Sequence, residues 1–139
     1  MKRLLFDVNI VLDVLLDRRP HADAASQAWA LVEVGRAEGL LSAHAVTTIH
    51  YLNQKAVGPR RAGATTEALL EVFGVAPVSE EVLRAALALG WPDFEDAVTA
   101  AAARAAACHA IVTRDPKGFR RAGLPVLDPA AAAAWVFAT

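Results

Sequence analysis

Cysteine, methionine and tyrosine each occur only once in these 139 residues. One thiol, Cys108, cannot close a disulfide within the chain or build a cysteine cage for zinc, which fits a reducing, cytoplasmic setting. An excess of either charge is also missing. With 14 basic and 15 acidic residues the formal charge is −1, so no global basic field draws in nucleic acid. Long apolar runs are absent as well. The opening Leu4-Leu5-Phe6 stops at Asp7, whereas the apolar core of a signal peptide needs about 7–15 residues. Nothing reaches the ~18 apolar residues of a membrane span, and the run Ala130 to Ala138 is short and mostly alanine. No membrane association is expected. The glycines stand singly, without a phosphate-binding loop, and no Ser-His-Asp set is visible.

A hydrophobic content of 55% against 21% charged residues excludes disorder. A chain of this length buries about two thirds of its extended surface, so one domain over residues 1–139 is expected. Alanine inflates the apolar content, which points to close helix packing by small side chains. Charge is unevenly spread. Arg114, Lys117, Arg120 and Arg121 form one basic group, and Lys55, Arg60 and Arg61 another. Acidic residues gather in Asp7–Asp17 and Asp93–Asp96. A basic rim beside an acidic spot can orient a phosphodiester, although solvated loops have the same composition.

Five short apolar segments read as strands: Arg3–Asp7, Leu40–Ser42, Val72–Val78, Ala110–Thr113 and Pro125–Leu127. Helical spacing fills the intervals, over Asn9–Leu16, His21–Glu38, His44–Lys55, Ala62–Glu71, Glu80–Leu89 and Phe94–Ala107, and again over Pro129–Phe137. Strands separated by crossovers of a dozen or more residues pair in parallel rather than as hairpins. The expected fold is therefore α/β, a three-layer α/β/α sandwich around a central parallel five-stranded sheet.

Ligands of parallel sheets bind beyond the carboxyl ends of the strands, which directs attention to the residue closing each one. Asp7 closes the first strand and Thr113-Arg114-Asp115 the fourth, while Asp93-Phe94-Glu95-Asp96 opens the helix leading into the fourth. Brought to one edge, these acids need a cation or a proton. All-oxygen ligation suits Mg²⁺ or Mn²⁺ rather than zinc. Blander roles exist for each. Asp93 reads as a helix N-cap, with Asp96 favoured by the helix dipole and Glu95 turned toward solvent. Asp115 before Pro116 reads as a turn residue. Asp7, between two apolar runs, is expensive without a partner. Asp13 and Asp17 read as surface charges, the four histidines as structural, and Cys108 as inert core.

The segments Leu4-Leu5-Phe6-Asp7-Val8-Asn9-Ile10-Val11-Leu12-Asp13, Asp93-Phe94-Glu95-Asp96-Ala97 and Ile111-Val112-Thr113-Arg114-Asp115-Pro116-Lys117-Gly118-Phe119 resemble those of PIN domains, small metal-dependent nucleases that include VapC-type toxins. The resemblance covers essentially the whole chain. It implies endonucleolytic cleavage of RNA with Mg²⁺ or Mn²⁺. It also implies that Asp7, Asp96 and Asp115 are the catalytic acids and metal ligands, with Asp93 as a possible fourth. Asn9 and Thr113 match polar supporting positions, and Arg114, Lys117 and Arg121 are candidates to hold flanking phosphates. PIN domains usually carry a glutamate after the second strand; here Thr48, within Ser42–Leu52, occupies that place, one negative charge short. A toxin of this type implies an RNA substrate, a cognate antitoxin protein and a homodimer. Trp29, Val32 and Val34, or Trp135-Val136-Phe137, read either as core or as such contact surfaces.

Two rival readings remain open. A catalytically weak PIN-like domain that binds RNA or protein is motivated by Thr48. A haloacid-dehalogenase-like phosphatase is loosely echoed by Asp7-Val8-Asn9-Ile10-Val11, but Asn9 stands where that chemistry needs a second aspartate.

Overall fold

The structure, a computed structural model, describes residues 1–138; Thr139, the last residue of the expected domain, lies outside the described residues. Strand β1 (Arg3–Phe6) leads into helices α1 (Val8–Leu15) and α2 (Ala22–Glu33), then β2 (Glu38–Ser42). Helices α3 (Ala43–Val57) and α4 (Pro59–Val72) precede β3 (Gly74–Ala76). Helices α5 (Glu80–Leu89) and α6 (Phe94–Ala105) return the chain to β4 (Ala110–Val112). A 3-10 turn (Pro116–Phe119), β5 (Val126–Leu127) and α7 (Pro129–Ala138) follow. The sheet has the order β3-β2-β1-β4-β5 and every pairing is parallel. Helices cover both faces, giving the α/β/α sandwich expected. None of the described helices is long and apolar enough to cross a membrane.

Alternation along the strands sorts the core into two layers. Leu4 and Phe6 of β1, with Ala110 and Val112 of β4, face a layer built on α1, α2, α3, α4 and α7. Leu5 and Ile111, pointing the other way, face α5 and α6. That second layer is the alanine-rich one. Ala97, Ala100, Ala102 and Ala103 are essentially inaccessible, so α6 lies tight on the sheet. The first layer is built on larger groups, with Phe73 edge-on to both Phe6 and Trp29. Val32 and Val136 are buried, and Trp29 and Trp135 pack against this layer, whereas Val34 and Phe137 are exposed.

Helix ends differ from the sequence-based boundaries for a definable reason. Helix α2 stops at Glu33 rather than Glu38. Gly35 turns left-handed at φ +76°, and the N–H groups of Gly35 and Arg36 donate back to Val32 and Leu31. This reciprocal pair is a Schellman stop, and it frees Glu38 to enter β2 beside Arg3. Helix α6 ends in the same way at Ala105, but with Ala107 at φ 57° instead of glycine. An alanine carries no stop signal, so the spacing overshot by two residues. Strand β3 begins later than Val72 because α4 continues to that residue, and it ends at Ala76 rather than Val78.

At Gly39 in β2 side chains from α2 and from the end of α4 approach the strand closely. A Cβ there would meet Val32 Cγ2 at 2.6 Å and the Phe73 ring at 2.9 Å. Gly39→Ala is expected to destabilise the protein by about 1–3 kcal/mol through overpacking, seen as a lower midpoint in urea unfolding with an unchanged slope.

Candidate active site

From β1 the chain moves outward through β2 to β3, then returns to place β4 on the other flank of β1. The crevice above β1 and β4 is thus the switch point of the sheet, where connections depart in opposite directions and ligands of this architecture bind. Asp7 is the first residue beyond β1 and Thr113 the first beyond β4. Asp7 is only 8% exposed. Its Oδ1 accepts the Val8 N–H at 2.9 Å, capping α1, and its Oδ2 accepts the Thr113 hydroxyl at 2.9 Å. The same Thr113 oxygen accepts the N–H of Asp115 at 3.1 Å. One buried threonine therefore ties the first acid to the backbone of the last.

Asp115 then opens the 3-10 turn, which doubles back against α6. A Cβ on Gly118 would stand 3.0 Å from Asp115 Oδ2 and 3.3 Å from Asp96 Oδ2. Two carboxylates from different elements thus approach one point. Asp93 caps α6, its Oδ1 accepting the Asp96 N–H at 3.1 Å. Capping and a place in the acidic group coexist in this residue.

The electrostatics report the convergence. Asp96 is raised from 3.8 to about 7, first by burial and then by the charges of Asp93, Asp7, Asp115 and Glu95. Burial also pushes Asp7 above the ordinary carboxylate range and Glu95 adds to it, while Thr113, Val8 and Arg114 pull the other way. Glu95 is exposed, as its helical position led one to expect. Its charge nevertheless acts on Asp7, Asp96 and His44. In their present rotamers the carboxylates converge without closing; among the described residues no three acidic, histidine or cysteine side chains form a ready metal cage.

The remaining candidates distribute around this centre. Asn9 Oδ1 accepts from Arg18 Nη1 at 3.1 Å, which turns this side chain toward Arg18. Thr48 donates its hydroxyl to the carbonyl of His44 one turn earlier, at 3.3 Å. Lys117 and Arg121 are exposed on and just after the turn. Arg114 directs Nε to Asp13 Oδ2 at 2.8 Å and Nη2 to Asp13 Oδ1 at 3.4 Å.

Asp13 corrects the expectation of a surface charge. It is completely buried and held by Arg114 and by Arg18 at 3.6 Å. Helical spacing put it on the polar side of α1, but the loop after β4 folds over that side. Two further polar side chains near the site end in buried atoms without hydrogen-bond partners. His44, at the start of α3, feels Glu95, is lowered by burial, and leaves Nδ1 buried without a hydrogen-bond partner. Ser42, the last residue of β2, leaves its Oγ in the same condition. Nothing in the local sequence separates His44 from His50, whose Nδ1 meets Thr66 Oγ1 at 2.8 Å, or from His109, whose Nδ1 accepts from Arg3. Gly118 carries a weak signal, a glycine immediately after Asp-Pro-Lys.

Two outcomes are expected. Arg114→Ala leaves a buried carboxylate with only its longer ion pair and lowers stability by about 2 kcal/mol, measurable by denaturant unfolding, whereas exposed Lys117→Ala leaves stability unchanged. Asp96 binds its proton more tightly folded than unfolded. It therefore costs nothing below pH 3.8 and progressively more as pH rises to about 7. In EDTA, Asp96→Asn should melt higher than wild type at about pH 8, the difference vanishing toward about pH 4. A lower melting temperature at the alkaline end would contradict the crowding.

The structure aligns with several solved structures. A toxin–antitoxin complex from Klebsiella pneumoniae matches with a TM-score of 0.68 and 26% identity, over 91% of this chain and 97% of that one. VapBC2 from Rickettsia felis, bound to a promoter DNA fragment, matches with a TM-score of 0.70 at 16% identity, over 91% and 98%. The Mycobacterium tuberculosis toxin VapC20, described as cleaving the sarcin–ricin loop, matches with a TM-score of 0.68 at 17% identity, over 87% and 95%. No curated protein matches by sequence. Residues 3–117, which include every acid of the cluster, match the family model described as PIN domain, and the chain belongs to the PIN domain family.

Proposed function

We propose that this protein is a PIN nuclease toxin that hydrolyses RNA phosphodiesters and is held in check by a cognate antitoxin. The observation that carries the reading is the crowding at Asp96, where Asp115 Oδ2 and Asp96 Oδ2 face one point at Gly118 and where burial, followed by four further carboxylates, raises a carboxyl group to about 7. Such a cluster fits a hard, oxygen-seeking divalent cation, because the donors are all carboxylate oxygens and a cation relieves their repulsion. Asp7, Asp96 and Asp115, with Asp93 at the mouth of α6, are the residues that would hold Mg²⁺ or Mn²⁺. When bound, such an ion makes water acidic enough to yield hydroxide and offsets charge on the phosphate.

The chain's own residues supply positioning. Thr113 fixes the Asp7 carboxylate by donating to Oδ2 while the Val8 N–H holds Oδ1. Arg114 is anchored on Asp13 and its charge favours ionised Asp7. Lys117 and Arg121 place positive charge beside the acids, where phosphates flanking the cut would lie. Glu95 offsets the charge missing at Thr48, since it acts on both Asp7 and Asp96.

The toxin–antitoxin assignment rests on the neighbours, of which the Klebsiella pneumoniae structure is such a complex. A homodimer and a cytoplasmic location belong to the same proposal. Cys108, buried and pushed up to about 11, has no disulfide partner.

A second reading, a catalytically weak RNA- or protein-binding PIN-like domain, is favoured by Thr48, whose hydroxyl serves its own helix. The two separate in one experiment. Purified protein with Mn²⁺ should cut single-stranded RNA, EDTA should stop it, and Asp7→Asn should reduce the rate by about 100-fold or more. Full cleavage by Asp7→Asn would falsify the nuclease reading. Failure of the wild type to bind Mn²⁺ at millimolar concentration by calorimetry would favour the binding module.

A further inference from the structure

Bordering Gly118, as the acids do, lies a cavity of about 360 Å³ that includes Trp91, Pro92, Lys117, Arg120 and Arg121 in its walls. Gly118 belongs to both places, bordering this cavity and the Asp96–Asp115 pair. The three cations are exposed and, among the described residues, none forms an ion pair although acidic groups are near. Positive charge therefore faces the cavity while negative charge faces the cleavage centre.

Trp91 is set in place by its surroundings. Gly90 closes α5 in a left-handed conformation at φ +67°, and Asp93 caps α6 two residues after Trp91, so the indole is carried on a short connection between two fixed helix ends. Its ring stands edge-on to Phe119, with centroids 6.0 Å apart at 81°, and Phe119 is buried. A half-buried aromatic ring in a pocket lined by cations suits a ligand that is flat at one end and anionic at the other. The volume lies near the lower end of the range for small-ligand sites, enough for one nucleotide and too little for a duplex.

We propose that this cavity is a nucleotide subsite, in which Trp91 stacks one unpaired base and Lys117, Arg120 and Arg121 bind its phosphate. The inference rests on the nuclease reading and deepens it. The strand must present an unstacked base one step from the cut, so single-stranded loops are favoured over paired stems.

The subsite is testable in EDTA, without cleavage. The chain has three tryptophans, so three indole N–H signals can be followed by NMR while a nucleoside 5′-monophosphate is added. The Trp91 signal should shift, those of Trp29 and Trp135 should not, and Trp91→Ala should weaken binding by about 10-fold. Trp91→Phe keeps a stacking ring and should bind close to wild type, which separates lost stacking from lost folding. Arg121→Ala should reduce the salt dependence of binding by about one charge. Inorganic phosphate binding as well as the nucleotide would reduce the cavity to an anion site and overturn the proposal. So would an acidic peptide displacing the nucleotide at equal concentration, or a silent Trp91 signal. With RNA and Mn²⁺, Trp91→Ala should raise KM more than it lowers kcat. Unchanged KM would remove the subsite and leave the nuclease reading standing, whereas mononucleotide binding by a wild type that never cleaves would do the reverse.

Discussion

Asp96 lies in the field of Asp7, Asp93, Asp115 and Glu95, and carboxylates gathered at a partly buried point must either share protons or enclose a cation. This constraint organises the edge of the sheet. Three elements fix the four acids: the end of β1 fixes Asp7, the entrance to α6 fixes Asp93 and Asp96, and the turn after β4 fixes Asp115. Two of these acids also satisfy local backbone donors. Asp7 caps α1, Asp93 caps α6, and Thr113 links Asp7 to the Asp115 backbone.

A second charged group lies directly beneath. Asp13 is fully buried, yet it is matched by Arg114 and Arg18, and Arg18 also reaches Asn9. The two groups are coupled through Arg114, whose charge lowers the cost of ionising Asp7. An arginine read at first as a surface contact for RNA is thus spent largely on holding the loop after β4 against α1. The cations left over for phosphate are those further along, at Lys117, Arg120 and Arg121, where the chain has turned away from Asp13.

Much of the fold was legible because its signals are local. Five apolar segments spaced by long helical stretches leave little choice but parallel crossovers, and the strand positions hold to within a few residues. The stop at Gly90 was legible, whereas those at Gly35 and at Ala107, where alanine takes the left-handed conformation, were overrun. The common edge of these acids was legible for the same reason. Each closes a strand or opens a helix, so the sequence places all of them at one edge once the sheet is parallel.

What the chain's order of residues determined by itself, then, is the alternation of strands and helices and the edge to which Asp7, Asp93, Asp96 and Asp115 belong, since hydrophobic period and capping act between near neighbours. Which charge meets which depended on the packing of elements distant in sequence. The burial of Asp13 under Arg114, the approach of Asp96 and Asp115 at Gly118, the reach of Glu95 to His44 and the cavity beside Trp91 all involve residues from different elements. Such pairings depend on helix angles and on how closely α6 settles on the sheet, and no local pattern encodes them.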